Sequence, residues 1–140
     1  MSQENLEIVR AAIDAYNQGD WESALKDAGP GFECDLSHAL GPQNDVYGRE
    51  QMQRFWAEFA EGWESVRIEP HEFIEKGDDV VVPWTMRLTG RDGIEVQARV
   101  AWTWTIRDGA VARLCMDQDR AEALEAAGLS EPSPQGGRES

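Results

Sequence analysis

Val80-Val81-Val82-Pro83-Trp84-Thr85-Met86-Arg87-Leu88-Thr89, followed by Gly90-Arg91-Asp92-Gly93 and then Ile94 to Ile106, decides the fold. The first run is apolar and β-branched, and the four residues after it are turn formers. Ile94 to Ile106 alternates for thirteen residues, which is long for a strand. Arg107-Asp108-Gly109 closes another hairpin onto Val111 to Gln118, because Asp-Gly accepts the positive φ angles of a tight turn. Upstream, Val66 to Glu75 reads as one strand, and Lys76-Gly77-Asp78-Asp79 as the turn that follows it. The second half of the chain is therefore a series of consecutive antiparallel hairpins.

The first half changes period. Leu6, Val9, Ile13 and Tyr16 recur at helical spacing, and Gly19-Asp20 stops that helix. Asp20 caps a short second helix carrying Trp21, Ala24, Leu25 and Ala28, which Gly29-Pro30-Gly31 breaks. Phe32 to Ser37 reads as a strand, and Gly41 to Asp45 as a loop. A third helix starts near Gly48-Arg49-Glu50, with Met52, Phe55, Trp56, Phe59 and Trp63 on one side. Asp119-Arg120-Ala121-Glu122 has capping-box spacing and opens a last helix that Gly128 ends. Helices followed by hairpins make an α+β domain, with a long curved antiparallel sheet around the N-terminal helices and a cavity at one end. The domain is expected to span residues 1–129, with 130–140 a disordered tail rich in Ser, Pro and Gly.

Composition narrows the function. The 140 residues contain 13 Lys+Arg against 27 Asp+Glu, a net charge of −14 that repels nucleic-acid backbones and anionic membranes. Neither is expected as a partner. The start of the chain lacks a basic segment followed by an apolar one, and no run approaches bilayer length, so a cytoplasmic location is expected.

Motifs for metal or nucleophilic chemistry are weak. Cys34-x-x-x-His38 with Cys115 lacks a second paired spacing, so the cysteines read as buried and no metal or cofactor is expected. Gly29-Pro30-Gly31 lacks the Lys and Ser/Thr of a phosphate loop. Ser37 and His38 are adjacent and would point to opposite faces of a strand. The six tryptophans carry more information, since each brings a polar N–H that a plain core does not need. They serve either as core or as the walls of an apolar pocket. Two acids lie inside apolar patterns. Asp35 is either a pocket base or a residue on the face opposite Phe32, Cys34 and Leu36. Asp119 is either a pocket acid or a helix cap with Glu122 as its box partner.

The chain resembles the SnoaL-like branch of the nuclear transport factor 2-like superfamily over nearly everything from Glu4 to Leu129. The resemblance rests on Asn17-Gln18-Gly19-Asp20-Trp21, Tyr47-Gly48-Arg49-Glu50, Trp104-Thr105-Ile106-Arg107-Asp108-Gly109 and the ending Asp119 to Leu129. It implies a cone-shaped α+β domain with an apolar pocket, dimeric through its sheet. It also implies site residues. The base of the related ketosteroid isomerases falls on Asp35, whereas their oxyanion Tyr and Asp fall on Ala12 and Trp102. The acid of SnoaL-type polyketide cyclases falls on Asp119. Pocket-lining positions fall on Trp56, Trp84, Met86, Trp102 and Gln118, with Phe59 beside them and Tyr16 above.

Two functions follow. The first is a cofactor-independent lyase, isomerase or cyclase that moves a proton on a hydrophobic, cyclic carbonyl substrate through Asp35 or Asp119. The second is a dimeric protein that binds a small hydrophobic molecule without catalysis. A dimerisation module whose own side chains fill the cavity is the third.

Overall fold

In the computed structural model, which describes residues 2–37 and 45–128, the first helical pattern forms α1 (Ser2–Asn17). Its buried residues Val9, Ala12, Ile13 and Tyr16 share one face, as the period required. Gly19, at φ 75°, turns the chain in a conformation that glycine adopts without strain. Asp20 then caps α2 (Trp21–Ala24) by accepting from the Ser23 N–H at 3.2 Å. The aromatic helix is α3 (Arg49–Glu61), and the Gln51 side chain accepts from the Gly48 N–H at its start.

The strands are β1 (Ala28–Asp35), β2 (Val46–Tyr47), β3 (Ser65–Pro70), β4 (Ile74–Lys76), β5 (Asp79–Thr89), β6 (Glu95–Arg107) and β7 (Ala110–Asp117). They form a curved, open sheet in the order β2-β1-β7-β6-β5-β3, with β4 also pairing β5. The β5–β6 ladder runs unbroken from Asp79 opposite Thr105 to Thr89 opposite Glu95. Between β6 and β7, Asp108 and Gly109 take φ values of 54° and 77°. That pair of positive angles is the tight turn read from Asp-Gly.

Alternation separates the two faces of the sheet. Val80, Val82, Trp84, Trp102, Trp104, Ile68 and Leu114 point to one side and pack with α1 and α3. Val81 and Ala101 point to the other, beneath Ala123 and Leu124 of α4 (Arg120–Ala126). The sheet is therefore buried on both faces near its centre.

The fold differs from the sequence reading at three places. Ala28 opens a strand instead of ending the second helix, and β1 continues through Gly29-Pro30-Gly31. A register shift between Ala28 and Glu33 accommodates Pro30, which cannot donate to a ladder. β1 also pairs β7 in parallel, so the sheet is not wholly antiparallel. The expected strand Val66 to Glu75 is broken into β3 and β4. Pro70 faces Trp84 and Ile74 faces Val81, so the register slips by one where Pro70 and Pro83 withhold N–H groups. Residues 41–44 of the expected loop from Gly41 to Asp45, His38 and the tail lie outside the described residues. Among the described residues, no helix is long and apolar enough to cross a membrane.

Candidate functional site

The inner face of the sheet gathers aromatic rings from five separate elements. Tyr16 of α1 lies 5.1 Å from Trp21 of α2 and 5.0 Å from Trp56 of α3, both edge-on. Trp102 of β6 stands beneath them, 6.1 Å from Tyr16. It lies 4.5 Å from Trp84 of β5 and 5.5 Å from Trp104 on its own strand. These separations are ordinary for aromatic pairs, and the tilted and edge-on geometries are the preferred ones. Four positions that sequence assigned to the pocket, Tyr16, Trp56, Trp84 and Trp102, thus meet in one cluster. Met86 is half-buried against the same core.

Phe59 belongs to a second aromatic row along α3. It stacks 6.3 Å from Phe55, which in turn lies 5.4 Å from Tyr47, and it sits 6.3 Å from Trp63. Gln118 is exposed at the end of β7, where its N–H donates to Glu122 Oε1 at 3.2 Å.

The polarity of the cluster is unusual for a core. Trp84 Nε1 and Trp104 Nε1 are both fully buried and have no hydrogen-bond partner among the described residues. Burial also pushes the ionisation of the Tyr16 phenol upward. The cluster thus encloses two indole N–H groups in apolar surroundings.

The two acids have other partners. Asp35 lies opposite Cys34 in the alternation of β1, and its carboxylate pairs with Arg113 of β7. It also accepts from the Ser37 N–H at 2.8 Å and the Ser37 hydroxyl at 2.6 Å. Asp119 is exposed and caps α4 by accepting from the Glu122 N–H at 2.9 Å. The Glu122 side chain returns to the Gln118 N–H, one residue before the usual box position.

A third carboxylate was missed. Asp117 is 2% exposed, faces Ala101 across the β6–β7 ladder and lies near Cys115 Sγ. Its alternation with Arg113 and Cys115 places it on the face opposite Leu114 and the aromatic cluster. The signal for it was the same two-residue step that places Asp35. Cys115 is pushed up to about 11, first by burial and then by the charge of Asp117. Among the described residues, no group of three or more His, Cys, Asp or Glu is placed to hold a metal ion.

A SnoaL-like domain matches residues 9–114. The chain belongs to the SnoaL-like family. No curated protein matches this family member in sequence. Among solved structures, it is similar to TerC co-crystallised with polyporic acid, at 26% identity and a TM-score of 0.69, covering 90% of this chain and 97% of that one. A nuclear transport factor 2-like protein of unknown function from Burkholderia pseudomallei is 24% identical, with a TM-score of 0.68 and coverage of 87% and 95%. IdmH from Streptomyces antibioticus, provisionally assigned as a polyketide cyclase, is 18% identical, with a TM-score of 0.71 and coverage of 89% and 99%. The last two likenesses show the fold alone. Membership of the SnoaL-like family supports a small-molecule-binding or catalytic role.

Proposed function

We propose that this SnoaL-like protein binds a hydrophobic, cyclic small molecule against the aromatic cluster centred on Trp102. The observation that carries this reading is the meeting of Tyr16, Trp56, Trp84 and Trp102 from four different elements on the helix-covered face. Apolar walls with a few polar atoms are the usual make-up of a small-molecule site. TerC, co-crystallised with polyporic acid, supports the same reading by likeness. Asp35 and Asp119 act in this proposal as structural groups, because one is paired with Arg113 and the other caps α4.

A second reading is favoured by the likeness to IdmH: a lyase, isomerase or cyclase in which Asp35 or Asp119 serves as general base. The protein is further proposed to be a homodimer. Ile94 and Val96, which are 63% and 42% exposed at the start of β6, supply apolar surface for such a contact.

The binding reading is tested by titrating the neutral dye Nile red and following tryptophan quenching. Saturable binding at about one dye per chain supports it, and linear, unsaturable partitioning overturns it. Asp35→Asn and Asp119→Asn separate the two readings. Turnover of cyclic enones by the wild type that disappears in either variant would establish the catalytic one.

A further inference from the structure

Part of β6 has a neighbour on one side only. Its ladder with β7 begins at Ala101 opposite Asp117, whereas its ladder with β5 extends on to Glu95 opposite Thr89. Glu95 to Arg99 are all exposed, so side chains on both faces of this ribbon meet solvent. The direction of the backbone groups follows from the bonds at either end. The Gly90 N–H donates to the Ile94 carbonyl at 2.7 Å, and the Ile106 N–H to the Asp78 carbonyl at 2.8 Å. In an unbroken antiparallel ladder every second residue bonds the same neighbour, so the even-numbered residues of β6 face β5. Glu95, Gln97 and Arg99 therefore turn both backbone groups to the other edge, where no strand among the described residues receives them.

Such an edge is a template for another strand. This one complements itself. Ile94-Glu95-Val96-Gln97-Ala98-Arg99-Val100 reads apolar, acidic, apolar, polar, apolar, basic, apolar. Turned end for end about Gln97, it sets Glu95 against Arg99. Neither residue forms an ion pair among the described residues, and Arg87, the cation nearest Glu95 across the ladder, is held by Glu69 at 2.7 Å.

We propose that two copies of this chain anneal along β6, antiparallel and centred on Gln97, so that their sheets join edge to edge. The inference rests on the homodimer reading above and names the edge and register through which the dimer forms. Glu95 exchanges backbone hydrogen bonds with Arg99 of the partner subunit, and Gln97 with Gln97 of the partner subunit. On the face shared with Ala101, a Glu95–Arg99 ion pair then lies on each side of a glutamine pair. On the face shared with Trp102, Val96 meets Ala98 of the partner subunit, so the apolar inner surface runs from one copy into the next. Sliding the register by two residues would set Glu95 against Gln97 or Ala101, which offers no opposite charge. Two chains of charge −14 repel each other, and the ion pairs place opposite charges where they touch.

Sedimentation equilibrium measures the dimer constant. Gln97→Pro removes an edge-facing N–H and no bond to β5, so it is expected to leave a folded monomer. Glu95→Arg sets like charges across the seam and is expected to weaken the dimer about tenfold. Glu95→Arg/Arg99→Glu is expected to return it to within about twofold of wild type. In a Cys34→Ala/Cys115→Ala background, Gln97→Cys is expected to form a disulfide-linked dimer on mild oxidation. Facing residues of a hydrogen-bonded pair have Cα atoms about 5.5 Å apart, which a disulfide spans. A dimer that Glu95→Arg leaves unchanged, or that Gln97→Cys fails to cross-link, overturns this inference while the homodimer reading stands. Weakening by Glu95→Arg that the double exchange does not reverse overturns it too. A wild type that is monomeric at every concentration overturns both. The charge exchange and the cross-link give the answer even if Gln97→Pro fails to fold.

Discussion

The side-chain amide of Asn17 pairs with both backbone groups of Ile68: Nδ2 donates to the carbonyl at 2.9 Å, and Oδ1 accepts from the N–H at 2.7 Å. Ile68 lies on β3, the end strand in the sheet order, so these groups would otherwise face outward from an unpaired edge. One amide acts as a short additional strand. It also fixes the end of α1, and with it Tyr16, the residue just before Asn17 in the chain.

Replacement of Asn17 therefore removes two partners at once. Asn17→Ala is expected to lower stability by about 2 kcal/mol, because the backbone polar groups of Ile68 lose their complement. Asn17→Asp retains the acceptor but not the donor, and it should lose stability as well. Urea denaturation checks both, with the exposed neighbour Gln18→Ala expected to stay within about 0.5 kcal/mol of wild type.

Asp119 is distinguished from a general base by chemistry that a cap tolerates. Asp119→Ala is expected to cost about 1 kcal/mol, and Asp119→Ser to restore most of it, because serine also accepts from the N–H three residues on. Thermal unfolding measures this directly. Dye affinity that fell in Asp119→Ser at unchanged stability would contradict the capping role.

For Asp35, the pair with Arg113 is half open to solvent, with Arg113 44% and Asp35 13% exposed in their side chains. Salt screens such pairs, so the pair itself is expected to contribute no more than about 1 kcal/mol. Asp35→Asn should lower the urea midpoint modestly and less so in 1 M salt. Its Nile red affinity is expected to remain within about twofold of wild type.

Alkaline pH should weaken the fold through its cysteines. Cys34 and Cys115 are buried thiols, and burial raises both above their ordinary value, Cys115 to about 11. The folded state therefore holds these protons more tightly than the unfolded chain does. Stability is full below about pH 9, where the unfolded thiols are still protonated, and falls as pH rises from there through about 11. Melting temperatures measured across that range should decline more steeply in wild type than in Cys34→Ala/Cys115→Ala. Equal slopes would remove the cysteines as the cause.

Local pattern made much of this molecule legible. The helical step from Val9 to Tyr16, the Asp-Gly turn at 108–109 and the cap at Asp119 are each set by residues a few positions apart. The two-residue alternation also placed Asp35 opposite Cys34 before its partner Arg113 was known. Where sequence reading failed, the deciding partner was remote. β1 runs through Gly29-Pro30-Gly31 because β7, about eighty residues later, offers it a parallel edge. The break between β3 and β4 depends on Pro83 in the facing strand as much as on Pro70.

By itself, then, the sequence determined the α+β class, the long hairpins, the caps and the family, because turn chemistry and side-chain period act over a few residues. Only the tertiary structure decided that Trp84, Trp102 and Trp104 share one cluster with Tyr16 and Trp56, and that two of their N–H groups lack acceptors among the described residues. It likewise decided that Asp117 is buried on the face opposite that cluster. Whether a polar atom finds a partner depends on the surfaces that packing brings together from distant parts of the chain, and no local pattern carries that information.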